Sequence, residues 1–233
     1  GPAEEPPAAP PPGHPARVTG GTSGAVPSRA VQSRAVQSRA VLLSVFLGAT
    51  TMRFLCVTAV LNFLPTYLAL ERGFSPQLAA YSSAFIWVGG VLFCTLVGRA
   101  IDRFGPLPVL LTLTALIGPT VAVVSLPLPV WLTVPLIVVL GGVVTGPAPA
   151  QNVLLPILAA YSDLGAAFGS LMGVSALVAS LGPLALGFLA EQMSIAGSLR
   201  LFTVPALLSV MLLGWLARMA PEPRPLASAL KTD

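Results

Sequence analysis

From Val41 onward the chain consists of long apolar runs separated by short polar breaks. Each run can supply the roughly 20 apolar residues that a bilayer-spanning helix needs. The runs show no strand-like alternation, and helices satisfy their own backbone hydrogen bonds in lipid. We therefore predict an all-α membrane protein. Its six transmembrane helices lie at approximately 41–70, 77–98, 107–126, 129–158, 164–190 and 198–218.

The residues before Val41 differ from the membrane region. Residues 1–40 are rich in proline and contain a repeat of five residues, with QSRAV at 32–36 as one copy. Each copy advances about 140° round a helix, so the valines form no apolar stripe. We predict a disordered, basic cytoplasmic linker at 1–40, a six-helix domain at 41–220 and a cytoplasmic tail at 221–233. An arm that binds lipid headgroups is the alternative for the linker.

Composition agrees with a lipid environment. Hydrophobic residues make up 55% of the 233 residues and charged residues only 9%, against about 25% charged in soluble domains. So few charges cannot cover the surface of a soluble globule. This excludes a soluble enzyme, a nucleic-acid binder and a disordered protein, and it leaves the lipid bilayer as the first predicted partner.

Basic residues are distributed unevenly between the two sides of the membrane. Six spans put both termini on one side, which holds Arg17, Arg29, Arg34, Arg39, Arg99, Arg103, Arg218, Arg224 and Lys231. The opposite side holds Arg72 and Arg200. By the positive-inside rule, we predict a plasma- or inner-membrane protein with both termini in the cytoplasm.

Residues that could support catalysis or metal binding are few. The chain has one histidine, His14, and two cysteines, Cys56 and Cys94, both within apolar runs. These cannot form a catalytic triad, a metal cluster or a disulfide framework. We predict no cofactor, no metal and no enzymatic activity.

The break between the second and third predicted helices carries a charged motif. It reads GRAIDRFG at 98–105. Gly98 lets a neighbouring helix approach, and Gly105 can take the left-handed conformation that ends a helix. Asp102 can pair with Arg99 or Arg103, or with the N-terminus of a neighbouring helix. We interpret these five residues as a conformational gate; the alternative is that the arginines only fix topology.

Six helices with this motif after the second resemble one half of a major facilitator superfamily transporter. The polar segment before Val41 is similar to the linker that joins the two halves in that family. The resemblance implies that the chain is the C-terminal half and that its partner is an N-terminal six-helix half. It also implies alternating-access transport of a small organic solute, with protons as the driving ion.

Within the superfamily, the chain is weakly similar to aromatic acid:proton symporters. The similar stretches are NFLPTYL at 62–68, GFS at 73–75 and IDRFGP at 101–106. That group usually has arginines where this chain has Leu164 and Ala176. A basic residue at these positions would suit a carboxylate substrate, so the departures count against an organic acid.

Arg53 is the one charge buried deep within a predicted span. It lies about 18 Å along the helix from Val41, near the bilayer midplane. An arginine there costs at least about 2.5 kcal/mol, so it must face a cavity or a partner. Ala49 and Val57 occupy its helix face, so no acidic partner is local. We interpret Arg53 as an anion-binding or coupling residue, with structural pairing or snorkelling as alternatives.

The fourth span is interrupted by glycine and proline. It reads TGPAPAQN at 145–152, where two prolines remove backbone donors. Such breaks persist in membranes where protein or water covers the freed carbonyls, as in a substrate cavity. We predict that Gln151 and Asn152 line that cavity together with Arg53 and Asn62. A kinked packing helix with its amides near the cytoplasmic end is the alternative.

The fifth span carries Gly165, Gly169 and Gly173 at intervals of four. This spacing predicts a groove for close helix packing. No acidic residue lies in the middle of a span, so a proton-coupled transporter would carry its titrating group in the other half. Two other possibilities remain open: a six-helix transporter that works as a homodimer, and a membrane protein that transports nothing or serves as an assembly partner.

Overall fold

The computed structural model describes residues 29–159 and 163–219. Within these ranges the chain is helical and contains no strand. The helices in chain order are α1 (Arg29–Leu70), α2 (Pro76–Phe104), α3 (Pro106–Val124), α4 (Val130–Thr145), α5 (Pro147–Leu158), α6 (Leu164–Gln192), α7 (Ile195–Leu201) and α8 (Val204–Met219).

Six stretches of these helices are long and apolar enough to cross a membrane. They are α1 from Arg39, α2, α3, α4 with α5, α6, and α7 with α8. The six predicted spans and the all-α membrane fold are therefore confirmed. The largest shift of a span boundary is at the end of α2, which continues past Gly98 to Phe104 because only Gly105 provides a stop.

The predicted linker is corrected at its C-terminal part. α1 begins at Arg29, so residues 29–40 extend the first membrane helix. The repeat contains no glycine or proline after Pro27, and its Ala, Arg and Gln residues favour a helix that the membrane span already nucleates. Residues 1–28 and 220–233, which include the rest of the linker and the whole tail, lie outside the described residues.

The bundle is organised by two close sets of helix contacts. α1 packs mainly on α6 and α8, and α2 packs on α4. Gly89 and Gly141 let the backbones of α2 and α4 touch, since a Cβ atom on either would collide with a carbonyl oxygen of the other helix. Gly182 does the same for α6, where a Cβ atom would lie 2.6 Å from the Leu55 carbonyl oxygen of α1.

The close helix packing predicted at Gly165, Gly169 and Gly173 is not formed within the described part of the chain. No described atom lies within 4 Å of a Cβ atom built on any of them. α6 buries a different face, which consists of Ala167, Leu171, Ser175, Ala179, Gly182 and Leu186. The three glycines lie two residues before or after positions on that face, about 200° round the helix. Their groove is therefore open.

Candidate functional site

Arg53 of α1 and Gln151 of α5 meet in the interior of the bundle. The Arg53 Nη2 atom donates a hydrogen bond to Gln151 Oε1. Only 2% of Arg53 and 1% of Gln151 is exposed. The predicted cation in the membrane is thus satisfied by a neutral amide from another helix.

The break in the fourth span places Gln151 at this position. α4 ends at Thr145 and α5 begins at Pro147, with buried Gly146 between them. The Gly146 N–H still donates to the Gly142 carbonyl at 2.9 Å, but Pro147 has no N–H to continue the ladder. Gln151 lies one turn into α5, where its side chain points inward towards α1.

Phe54 contacts Arg53 and also lines a groove on the surface. The Arg53 Cζ atom lies 4.7 Å from the centroid of the Phe54 ring, close enough for a cation–π contact. Phe54 is half-buried and forms one wall of a groove of about 370 Å³ between α1 and α6. The other residues of this α1–α6 groove are Thr58, Met172, Ser175, Ala176, Ala179 and Ser180.

The surface of the α1–α6 groove is mostly apolar, with a few hydroxyl groups in or behind its walls. Thr51 Oγ1 and Ser175 Oγ lie 3.1 Å apart and are both buried, so they bridge α1 and α6 close to Arg53. Thr58 and Ser180 add two more hydroxyls to the walls. The sequence predicts neither these residues nor Phe54 as part of a site. The only signal was the polar run Thr50-Thr51 just before Arg53.

Asn62 and Asn152 do not join the pair. Asn62 is exposed, and its Nδ2 atom donates to the Thr58 carbonyl at 2.7 Å. It lies nine residues beyond Arg53, about 13 Å along the helix axis. Asn152 is exposed beside buried Gln151, on a different face of α5. The structure therefore brings together two of the four residues predicted to line a cavity, and places the other two on the surface.

The motif at 98–105 is exposed at one end of the bundle. Arg99, Asp102 and Arg103 are exposed. Within the described ranges, Asp102 forms neither of the pairings predicted for it. The Arg103 Cζ atom lies 5.3 Å from the Phe104 ring centroid. The helix contact predicted at Gly98 is also absent, since nothing described lies within 4 Å of a Cβ atom there.

Gly105 takes the role predicted for it. Its φ is 87°, a conformation that other residues rarely adopt. Its N–H donates to the Ile101 carbonyl at 2.8 Å and so closes α2. Among residues 29–159 and 163–219, no group of three His, Cys, Asp or Glu side chains is placed to hold a metal ion.

Residues 46–232 match the family model described as Major Facilitator Superfamily. No curated protein matches the chain. The matched region includes the Arg53–Gln151 pair, the α1–α6 groove and the motif at 98–105. Members of this family move small solutes across membranes and are not enzymes. The chain therefore belongs to the Major Facilitator Superfamily of membrane transporters.

Proposed function

We propose that this chain is the C-terminal half of a secondary transporter that carries a small organic acid by alternating access. The observation that carries the proposal is the position of Arg53. It is a buried cation whose hydrogen-bond partner is a neutral amide, and the aromatic ring that it contacts, Phe54, also lines a mostly apolar groove.

The charge of Arg53 supports an anionic substrate. An arginine within the membrane is expensive unless a partner offsets its charge. Gln151 supplies a dipole but no negative charge. A carboxylate on the substrate would supply that charge, and guanidinium–carboxylate bonds are about twice as strong as neutral ones. The weak similarity to aromatic acid:proton symporters supports this substrate class, whereas the departures from that group at Leu164 and Ala176 count against it.

The α1–α6 groove is the proposed route to Arg53. Phe54 and Met172 give it apolar walls for the body of the solute, and Thr58 offers a hydroxyl for a polar group. A rotation of the Phe54 ring would open Arg53 to a carboxylate in the groove. Gln151 would hold the guanidinium in place while the ring moves.

Exposed polar groups in the spans support the proposal that a second six-helix half packs against this one. Asn62 and Ser180 are exposed on α1 and α6. Each donates one hydrogen bond to a carbonyl of its own helix, but the rest of the Asn62 amide has no described partner, and an unpaired amide that faces lipid is unfavourable. The open glycine groove of α6 lies on the same helix as Ser180. A second six-helix half would cover these groups and enclose the substrate. In a proton-driven symporter of this kind, the titrating carboxylate would come from that half.

Co-expression with an N-terminal half, followed by measurement of benzoate uptake, tests the proposal. We expect Arg53→Ala to abolish uptake and to leave membrane insertion unchanged. Arg218→Ala, which removes an exposed arginine at the end of α8, is the matched control and should transport normally. Normal uptake by Arg53→Ala would contradict the role of this arginine.

The same experiment separates the alternatives in which the chain works without an N-terminal half. The open groove at Gly165, Gly169 and Gly173 favours a second copy as the first alternative, because small residues in one row allow two helices to approach closely. Uptake by this chain alone would support a homodimeric transporter. No uptake with or without the partner would support an assembly protein that transports nothing.

A further inference from the structure

A second group of charged residues lies at the opposite end of the bundle from the motif at 98–105. Arg72 follows α1, and its Nη1 atom donates to the Leu126 carbonyl at 2.6 Å while Nη2 donates to the Leu128 carbonyl. Arg200 of α7 donates from Nε to Ser125 Oγ and from Nη2 to the Ser125 carbonyl, both at 2.9 Å. Both guanidinium groups therefore reach the loop between α3 and α4.

Glu71 is the third charge of this group. Its two carboxylate oxygens accept hydrogen bonds from the backbone N–H groups of Ile195 and Ala196, the latter at 3.0 Å. These donors belong to the first turn of α7, where the helix dipole favours a negative charge. The carboxylate is therefore turned towards α7 and forms no ion pair with either arginine in the described part of the chain.

These side chains surround a pocket of about 360 Å³. The residues of this end pocket are Tyr67, Glu71, Arg72, Ser125, Pro127, Ala196 and Arg200. Each guanidinium uses two of its N–H donors on the loop, out of about five that an arginine carries. The Tyr67 side chain also lies beside Arg72. The donors that neither the loop nor Tyr67 occupies, together with a net positive charge, remain for a ligand, and the volume suits a small molecule.

We propose that the end pocket binds a small oxyanion, a carboxylate or phosphate group held between Arg72 and Arg200. Both groups match the planar donor fork of arginine. This site is separate from the proposed transport site, because about 25 Å of helix lies between Arg53 and Leu70. The oxyanion comes either from a soluble molecule or from the headgroup of an anionic lipid.

A test of this proposal must change the charge of the end pocket and keep the hydrogen bonds to the α3–α4 loop. Replacing Arg72 or Arg200 is unsuitable, because it would also remove those hydrogen bonds. Ala196 lines the pocket with a half-buried side chain, and its backbone N–H keeps the contact with Glu71 after substitution. Ala196→Glu places a carboxylate at the wall, and Ala196→Gln adds the same bulk without charge. Pro127→Glu and Pro127→Gln form a second pair on an exposed wall.

Binding is measured by calorimetry on the full chain in phosphatidylcholine nanodiscs, with inorganic phosphate and benzoate as probes and chloride to hold the ionic strength. We expect saturable binding of one probe, retained in Arg53→Ala. Each Glu variant should bind at least about tenfold more weakly than its Gln counterpart, because the added carboxylate competes for the arginines. If Arg53→Ala still binds the probe, binding takes place at the end pocket and does not depend on the proposed transport site. A failure of the transport proposal would therefore leave this result standing.

A second set of measurements, with an anionic lipid in the nanodisc, identifies the source of the oxyanion. If the site holds a headgroup, phosphatidylglycerol in the nanodisc should raise the melting temperature of the Gln variants more than that of the Glu variants, and should suppress phosphate binding. The proposal is overturned if neither soluble probe binds and phosphatidylglycerol has no effect. Equal affinities, or equal shifts in melting temperature, in the Glu and Gln variants would also overturn it.

Discussion

One charged cluster at each end of the bundle has the same composition, and the two clusters use their charges differently. Each cluster has two arginines and one carboxylate: Glu71, Arg72 and Arg200 form the tied end, and Arg99, Asp102 and Arg103 form the open end. The tied end joins α1, α7 and the α3–α4 loop through hydrogen bonds. At the open end, no hydrogen bond to these side chains is formed within the described residues.

The loops explain this difference. The chain between α3 and α4 is irregular from Ser125 to Pro129, so it presents carbonyl groups that no helix satisfies. The arginines of the tied end bind those carbonyls. Between α2 and α3 only Gly105 intervenes, so this connection has no irregular segment comparable to residues 125–129. The three charged side chains form no hydrogen bond within the described residues, which leaves them available for a partner outside the described structure.

The largest effect on stability is expected from Arg72→Ala at the tied end. The substitution removes the donors to the Leu126 and Leu128 carbonyls. Hydrogen bonds from charged donors contribute about 1.5–3 kcal/mol each when measured by removal, and partial exposure reduces this. We expect the free energy of unfolding to fall by about 2–3 kcal/mol, measured by denaturant unfolding in detergent micelles.

Arg103→Ala is the matched control for this change. It removes an arginine from the open end, where the guanidinium forms no hydrogen bond with a described residue and lies 5.3 Å from the Phe104 ring centroid. Its free energy of unfolding should change by less than about 0.5 kcal/mol. If the two variants lost the same free energy of unfolding, the proposed difference between the tied end and the open end would be contradicted.

A smaller effect is expected from Glu71→Gln. The amide keeps one acceptor oxygen but loses the charge that faces the first turn of α7 and one of the two backbone contacts. Caps and charges at helix N-termini contribute about 0.5–2 kcal/mol. We expect a loss of about 1 kcal/mol and faster hydrogen exchange at the Ile195 and Ala196 amides. Unchanged exchange would show that Glu71 does not hold α7.

The sequence predicts the spans well because their signal is local. An apolar run of sufficient length is a helix in lipid wherever it packs, and Gly105 ends α2 because of its own backbone freedom. Contacts between helices are not predicted in this way, because their signal is not local. A charge within a span must be kept from lipid, so the sequence predicts that Arg53 is buried. Its pairing with Gln151, 98 residues away, depends on how α1 and α5 are rotated.

The glycines of α6 illustrate the same limit. Intervals of four place Gly165, Gly169 and Gly173 on one face, but the spacing does not tell which neighbour covers that face. In the described chain α1 packs on the opposite face, where the single Gly182 makes the close contact. The sequence does not predict the tied end for a related reason. In the sequence, Arg72 and Arg200 look like charges that only fix topology. Their shared contact with the α3–α4 loop exists only in the folded chain.

The smallest effect on stability is expected from Asp102→Asn at the open end. The same variant is the most informative one for function. Asp102 is exposed and forms no hydrogen bond with another described residue, so the free energy of unfolding should stay within about 0.5 kcal/mol of the original. If the charge serves as a gate against the N-terminal half, benzoate uptake should fall while benzoate binding is kept, because the conformational step alone is affected. A loss of binding and stability together would instead give the open end a structural role and remove its contrast with the tied end.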